Sequence, residues 1–128
     1  MSKSTHAALS VTCDPHLARL VRMTAANIAT LSSMSVDRVE DIRMAAEEAF
    51  IYACATAPGD ELNIAFDTDA SHLAMTFALD VEAFATPSED DPSAAYVDLI
   101  LGSVCDVYEK YESPARLVLD MKADVDGL

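Results

Sequence analysis

Residues 39–57 read VEDIRMAAEEAFIYACATA, and a Pro-Gly pair follows at 58–59. The stretch is rich in alanine, repeats its apolar residues at helical spacing and ends in a typical helix stop, so it predicts one long helix. Ser35 precedes it as a predicted cap. Two adjacent carboxylates, Glu47 and Glu48, lie in the middle of this largely apolar run, and Tyr52 follows Glu48 by one turn. Acids in such a setting mark the first place to look for a catalytic or cofactor site.

Length and composition restrict the class of protein. A chain of 128 residues with 52% apolar residues and three glycines can form one packed core. We predict a single domain over residues 1–128, with its core over about residues 7–121. No apolar run approaches the roughly 20 residues of a membrane span, and the first residues lack the hydrophobic centre of a secretory signal. We therefore expect a cytoplasmic protein without a membrane partner.

The cysteines and histidines show no metal-ligand spacing. Cys13, Cys54 and Cys105 are far apart and include no C-x-x-C pair, and the three histidines are equally scattered. The spacing therefore suggests neither a disulfide framework nor a zinc site. We expect small buried thiols and no bound metal.

The charge is unevenly distributed. The net charge of -14 argues against binding to nucleic acid, because affinity for phosphates comes mainly from lysine and arginine. Residues 44–109 carry fourteen acids and neither lysine nor arginine. Two explanations remain open, a solvated acidic face and an acidic surface that attracts a basic partner.

The hydrophobic period changes along the chain. Helical spacing occurs over residues 17–31, 39–57 and 92–105. Strand-like alternation or strand-like composition occurs over residues 8–13, 62–66, 73–79, 106–111 and 115–121. Asp14-Pro15 and Asp91-Pro92 each combine a helix-capping side chain with proline at the first helical position. The resulting order, β-α-α-β-β-α-β-β, predicts an α+β fold, a two-layer α/β sandwich with helices on one face of a mixed sheet.

Three stretches together carry a resemblance to a known family. Residues 41–53 read DIRMAAEEAFIYA, residues 77–80 read FALD, and residues 99–107 read LILGSVCDV. They resemble, in turn, the N-box helix, the strand that ends in an adenine-contacting aspartate, and the helix and strand start after the glycine-rich lid. The family is that of the anti-sigma-factor serine kinases of the RsbW type, in the histidine-kinase-like (GHKL) ATPase superfamily. The resemblance implies that fold.

The resemblance also implies site residues. Glu48 stands at the position of the family's glutamate base, and Asp80 at that of the adenine-contacting aspartate. Tyr52 replaces the asparagine that binds magnesium, and a neutral phenol is a poor magnesium ligand. Where the family continues D-x-G-x-G, this chain reads DVEAF over residues 80–84, without the glycines that let backbone approach a ligand closely. Residues 90–95, DDPSAA, stand at the glycine-rich lid.

The charge of the chain also argues against nucleotide binding. A nucleoside triphosphate carries about three to four negative charges, which protein sites offset with cations, metals or converging N–H groups. Residues 44–109 supply no lysine or arginine, and one uncompensated pair of charges 4 Å apart costs on the order of 4 kcal/mol at an effective dielectric near 20. We therefore expect a degenerate ATP site and no cofactor. Under the alternative interpretation, in which the chain is an active kinase, ATP and magnesium are its cofactors.

The sequence thus favours an anti-sigma-factor-like regulatory protein of bacterial transcription or signalling control, acting by protein contact rather than as an enzyme. The resemblance implies a sigma factor, an anti-sigma antagonist or a second copy as partner. Two alternatives remain open: an active serine/threonine kinase with Glu48 as base and Asp80 on adenine, and an unrelated α+β domain that binds a small apolar ligand. The plainer interpretations are a solvated helix-edge carboxylate for Glu48, turn chemistry for Asp80 and a core-filling ring for Tyr52.

Overall fold

The computed structural model describes residues 4–84 and 93–125. The strands are β1 (Thr5–Thr12), β2 (Glu61–Thr68), β3 (His72–Leu79), β4 (Val107–Tyr111) and β5 (Arg116–Lys122). The helices are α1 (Ala18–Ala29), α2 (Val36–Thr56) and α3 (Ser93–Val104), and a 3-10 turn, Pro15–Leu17, precedes α1. With this turn counted as part of α1, the order along the chain is β-α-α-β-β-α-β-β.

The five strands form one open sheet in the order β1-β2-β3-β5-β4, and every neighbouring pair is antiparallel. The α+β class is confirmed, whereas the predicted mixed sheet is wrong. Strand β4 runs in the same direction as β3, but β5 lies between them and hydrogen-bonds to both. No two parallel strands of the described sheet are therefore neighbours. Identity with the histidine-kinase-like ATPase fold stays a prediction.

The core lies between the sheet and the helices. In β2, β3 and β5 alternate side chains are buried, as expected for strands with one covered face. Helix α2 lies between α1 and α3 and packs on β3, while α1 packs on β2. Buried alanines along α2, among them Ala46, Ala49 and Ala53, allow this helix to approach its neighbours closely.

Both ends of α2 follow the local chemistry of the sequence. The Ser35 side chain accepts a hydrogen bond from the backbone N–H of Arg38 at 3.1 Å, so the predicted cap is confirmed. The helix begins at Val36, three residues before the start of the stretch quoted above. After it ends at Thr56, Gly59 adopts a φ of 82°, a conformation that glycine tolerates best.

Arg38 joins the start of α2 to the ends of α3 and β5 and to the residue before β4. Its guanidinium donates to the backbone oxygens of Lys122 at 2.9 Å and Val104 at 3.2 Å, and it forms an ion pair with Asp106. The bond to Val104 satisfies a carbonyl at the end of α3, where helices have free acceptors. The Arg38 side chain is only 14% exposed. This residue therefore ties the helical layer to the β4–β5 end of the sheet.

The first predicted capping pair is confirmed, because the Asp14 side chain accepts from the backbone N–H of His16 at 2.9 Å. The second, Asp91-Pro92, lies outside the described residues, as do residues 90–92 of the stretch at the lid position. Among the helices of the described ranges, none combines the length and the apolar character needed to span a bilayer.

Candidate functional site

The residues that the resemblance singles out lie in two different places. Glu48 is half-buried on α2, and Tyr52, one turn later, is 4% exposed. Asp80 is exposed directly after β3. It lines a polar cavity of about 420 Å³ whose other lining residues are Asp60, Glu61 and Asn63. That lining includes neither Glu48 nor Tyr52.

Tyr52 is enclosed by residues from distant parts of the chain. Its ring stacks on that of Phe84, with the centroids 5.4 Å apart and the planes at 26°. The Lys110 ammonium donates to the Tyr52 hydroxyl oxygen at 3.2 Å and lies 5.2 Å from the centroid of the ring. The Phe84 ring and the Lys110 cation therefore lie against the residue that the resemblance places at the family's metal-binding asparagine.

A carboxylate completes this group. Asp98 on α3 accepts from Lys110 at 2.9 Å with one oxygen and from the Tyr108 hydroxyl at 2.6 Å with the other. Burial lowers the pKa of Lys110, but the hydrogen bonds to Asp98 and Tyr52 outweigh it and raise the pKa overall. Burial, followed by the bond to Asp98, raises the pKa of Tyr108. The Lys110 ammonium thus stays charged and the Tyr108 phenol neutral at pH 7. The hydrogen bonds of Lys110 to Tyr52 and Asp98 join β4 to α2 and α3.

The segment after β3 is attached to the β4–β5 turn. The backbone N–H of Ala115 donates to the Val81 oxygen at 2.7 Å, and that of Ser113 to the Glu82 oxygen at 2.8 Å. These bonds lead the chain to Phe84, which is 8% exposed against Tyr52. The segment that the resemblance aligns with the family's glycines thus places an aromatic side chain against Tyr52.

Sequence reasoning missed Lys110, because this residue lies immediately beyond the acidic stretch 44–109. The alternation of β4 carried a usable signal. Tyr108 and Lys110 are two residues apart on one strand, so their side chains share a face. A Tyr108 ring packed on the core therefore implied that Lys110 lies beside it.

The paired acids of α2 diverge. Glu47 accepts from the Arg22 guanidinium of α1 at 3.2 Å. Glu48 is the next residue, about 100° further around the helix, so the two carboxylates do not act on one point. The described parts of the chain contain no group of three or more His, Cys, Asp or Glu side chains placed to hold a metal ion.

A second cavity, of about 370 Å³, lies at the end of α2 and has almost entirely apolar walls. Its lining residues are Cys13, Pro15, Phe50, Ile51, Cys54, Ala55 and Pro58. Burial raises the pKa of both Cys13 and Cys54. All three cysteines of the chain are free. Thiols with raised pKa values are poor nucleophiles, so this cavity offers apolar contact rather than covalent chemistry.

No protein-family model matches the chain, and no curated protein matches it. Membership of the anti-sigma-factor kinase family therefore stays a prediction, which rests on the three stretches quoted above.

Proposed function

We propose that this protein is an anti-sigma-factor-like regulator of bacterial transcription or signalling that acts by binding a protein partner, without using ATP. The observation that carries the proposal is the packing of Phe84 and Lys110 around Tyr52. If the resemblance is one of ancestry, these side chains fill the space next to Glu48 in which relatives hold magnesium and phosphates. A filled site leaves contact with another protein as the means of action.

The charges of this group also oppose a nucleotide. The Lys110 ammonium already faces the Asp98 carboxylate at 2.9 Å. A triphosphate would have to compete with that carboxylate for the same cation, at a cost of order 4 kcal/mol for each uncompensated pair of charges in contact. Tyr52 offers magnesium a phenol in place of the compact oxygen ligands that this ion prefers.

The cavity beside Asp80 supports a basic partner. Asp60, Glu61 and Asp80 line it together, and the described residues of its lining include no lysine or arginine. Ser10 donates to Glu61 at 2.6 Å but adds no positive charge. Three carboxylates in one depression favour a lysine or arginine of a partner, and they raise the rate at which a basic protein associates.

Calorimetric titration with ATP and magnesium tests the absence of nucleotide binding. We expect no saturable heat and no rise in melting temperature at millimolar nucleotide, whereas micromolar affinity would raise it by mass action. The double variant Tyr52→Asn/Phe84→Gly removes both rings and is the matched test for a latent site. Saturable binding by the wild type that is lost in Asp80→Asn would overturn the proposal and favour the active kinase.

Partner binding needs its own experiment. The tagged wild-type chain is used to capture proteins from its native cells, beside the double variant Asp60→Asn/Asp80→Asn. The matched control is Glu112→Gln, at an exposed acid of the β4–β5 turn. We expect capture of a basic protein of the sigma-factor or anti-sigma-antagonist class, reduced by the double variant and by salt but retained by the control. Capture that the double variant leaves unchanged would contradict a role of this cavity.

The apolar cavity at the end of α2 favours a second candidate function, the binding of a small apolar ligand. Its described lining consists of apolar side chains and two buried thiols, Cys13 and Cys54. A fluorescent apolar probe should bind stoichiometrically, and Ala55→Trp, which fills the cavity from its rim, should abolish the signal. Equal probe fluorescence in both proteins would remove this candidate.

A further inference from the structure

The apolar cavity at the end of α2 has a buried floor and an exposed rim. Cys13, Phe50 and Cys54 are the buried members of its lining. The other lining residues are exposed and form the rim: Pro15, Ile51, Ala55 and Pro58. The cavity is therefore a depression that opens to solvent between the 3-10 turn and the last turns of α2.

Backbone hydrogen bonds hold the walls of this cavity together. The N–H of Cys13 donates to the Asp60 oxygen at 2.7 Å, and the Cys13 oxygen accepts from the N–H of Gly59 at 3.0 Å. The N–H of Leu17 donates to the Asp14 oxygen at 2.9 Å and closes the 3-10 turn. The wall that carries Cys13 is thus fixed to the turn that follows α2. A ligand of such a preformed cavity binds without the entropic cost of ordering its walls.

The size and the walls of the cavity suit an alkyl chain. Its volume is about 370 Å³. At about 30 Å³ for each group of the size of a water molecule, this volume holds on the order of ten methylene groups. The described lining residues carry no charged group, hydroxyl or amide in their side chains. A polar group of a ligand would therefore lose its hydrogen bonds inside the cavity, so it has to stay at the mouth.

The two thiols of the floor report the electrostatic potential of the cavity. Burial is the main cause of the raised pKa of Cys13, and the Asp60 carboxylate raises that pKa further. Burial is also the main cause for Cys54, whose pKa the Asp14 carboxylate raises in the same direction. A carboxylate has this effect because it disfavours a second negative charge nearby. The cavity is therefore unfavourable for an anion and favourable for a cation.

The same two carboxylates lie beside the rim. Asp14 stands between two lining residues in the chain, and the backbone N–H of His16, followed by its ring, lowers the pKa of Asp14. Asp60 is exposed in the turn that follows α2. Helix α1, which carries Arg19 and Arg22, contributes no residue to the described lining. A ligand whose apolar part fills the cavity thus brings its head group next to acids.

We propose that this cavity binds a small amphiphilic cation, with an alkyl chain of about ten carbons or fewer in the cavity and an ammonium group at the mouth beside Asp14 and Asp60. The inference rests on the second candidate function, the binding of a small apolar ligand, and assigns the charge of that ligand. Contact with the apolar walls supplies affinity, and the two carboxylates select against fatty acids and other anions of equal chain length.

Calorimetric titration with three probes of equal chain length tests this assignment. The probes are octylammonium, octanol and octanoate, each at pH 7 and below any concentration at which it forms micelles. We expect one-to-one binding of octylammonium, at least about tenfold tighter than that of octanoate, with octanol between them. Added salt should narrow this difference, because the carboxylates are at the surface. Ala55→Trp, at the exposed rim, should abolish the binding of all three probes.

Two double variants separate the mouth of the cavity from the charge of the whole protein. Asp14→Asn/Asp60→Asn removes both carboxylates, while asparagine at position 14 can still accept the hydrogen bond from the backbone of His16. The preference for octylammonium over octanoate should then fall to about twofold or less. Asp37→Asn/Glu112→Gln removes the same charge at exposed positions, at the start of α2 and in the β4–β5 turn. It should keep the preference of the wild type.

The outcomes distinguish this inference from the function on which it rests. Equal affinity for the three probes, or a preference that the two double variants reduce equally, would overturn the cationic ligand but keep the apolar one. Failure of every probe to bind, or binding that Ala55→Trp leaves unchanged, would overturn both. A short acetylated leucine–lysine peptide that displaces octylammonium at lower concentration would assign the cavity to a protein partner and would also overturn the proposal.

Discussion

The Lys110 ammonium lies 3.2 Å from the hydroxyl oxygen of Tyr52, although 58 positions separate the two residues in the chain. A cation from β4 therefore contacts the side chain that the proposed resemblance places at the magnesium-binding asparagine of the anti-sigma-factor kinases. With Asp98 and Phe84, it forms a group in which the Lys110 cation faces the Asp98 carboxylate and the Phe84 ring stacks on Tyr52. Through these contacts Tyr52, Asp98 and Lys110 join α2, α3 and β4.

Replacing Lys110 should reveal this role. Lys110→Met keeps most of the apolar stem but leaves Asp98 without its cation, so we expect the free energy of unfolding to fall by about 1–2 kcal/mol. Urea denaturation measures the change. Lys122→Met, at an exposed lysine of β5, is the control and should change stability by less than about 0.5 kcal/mol. Equal losses in the two variants would show that the ion pair contributes nothing specific.

Phe84 should be a stability determinant despite its place in a loop. Phe84→Ala removes a ring that is 8% exposed and stacked on Tyr52, and should cost about 2–4 kcal/mol through lost burial and the cavity left behind. Thermal and urea denaturation give the value. Tyr96→Ala, at a ring that is 63% exposed, should cost less than about 1 kcal/mol. A Phe84→Ala loss no larger than that of Tyr96→Ala would contradict the stacking.

Arg38 should not be replaceable by lysine. Arg38→Lys and Arg38→Met should both cost about 2–3 kcal/mol, because a single ammonium cannot reproduce the planar donors that reach Lys122, Val104 and Asp106. Arg43→Met is the matched control on the same helix, since Arg43 pairs with the exposed Glu40. It should cost less than about 1 kcal/mol. If Arg38→Lys kept the stability of the wild type, the positive charge alone would explain the role of Arg38.

Asp124 should make stability depend on pH. Its hydrogen bonds from the Ser35 side chain and backbone N–H hold its pKa below the usual carboxyl value. A pKa that is lower in the folded than in the unfolded state contributes stability above the unfolded value of about 4, and this contribution is lost as the pH falls through the folded value. Denaturation of Asp124→Asn should therefore depend less on pH below about pH 5 than that of the wild type. Identical slopes would contradict this.

The three thiols should be unreactive in the native protein. Burial raises the pKa of Cys105 to about 12 and also raises those of Cys13 and Cys54. Because the thiolate is the reactive form, a chromogenic disulfide reagent should react near pH 8 only as fast as the protein unfolds. In denaturant it should report three thiols. Rapid reaction of one thiol before unfolding would show that the apolar cavity admits the reagent.

Local patterns predicted much of the secondary structure and little of the site. Ser35 was found as a cap, and the apolar period of residues 39–57 located most of α2, because caps and helical spacing are properties of neighbouring residues. Asp80 was paired with Glu48 through motif resemblance alone. The structure places Asp80 beside Asp60 and Glu61, at the end of the antiparallel pair β2–β3 in which Leu62 faces Leu79.

The sequence by itself determined the α+β class, the long helix that carries Glu48 and Tyr52, and the acidity of residues 44–109. Periodicity and composition are properties of neighbouring residues, so they can be read without the tertiary structure. The tertiary structure alone decided that all neighbouring strands are antiparallel, since β5 lies between β3 and β4. It also decided that Lys110 and Phe84 enclose Tyr52. These contacts join residues far apart in the chain, and their geometry follows from how the sheet and helices pack rather than from any single stretch.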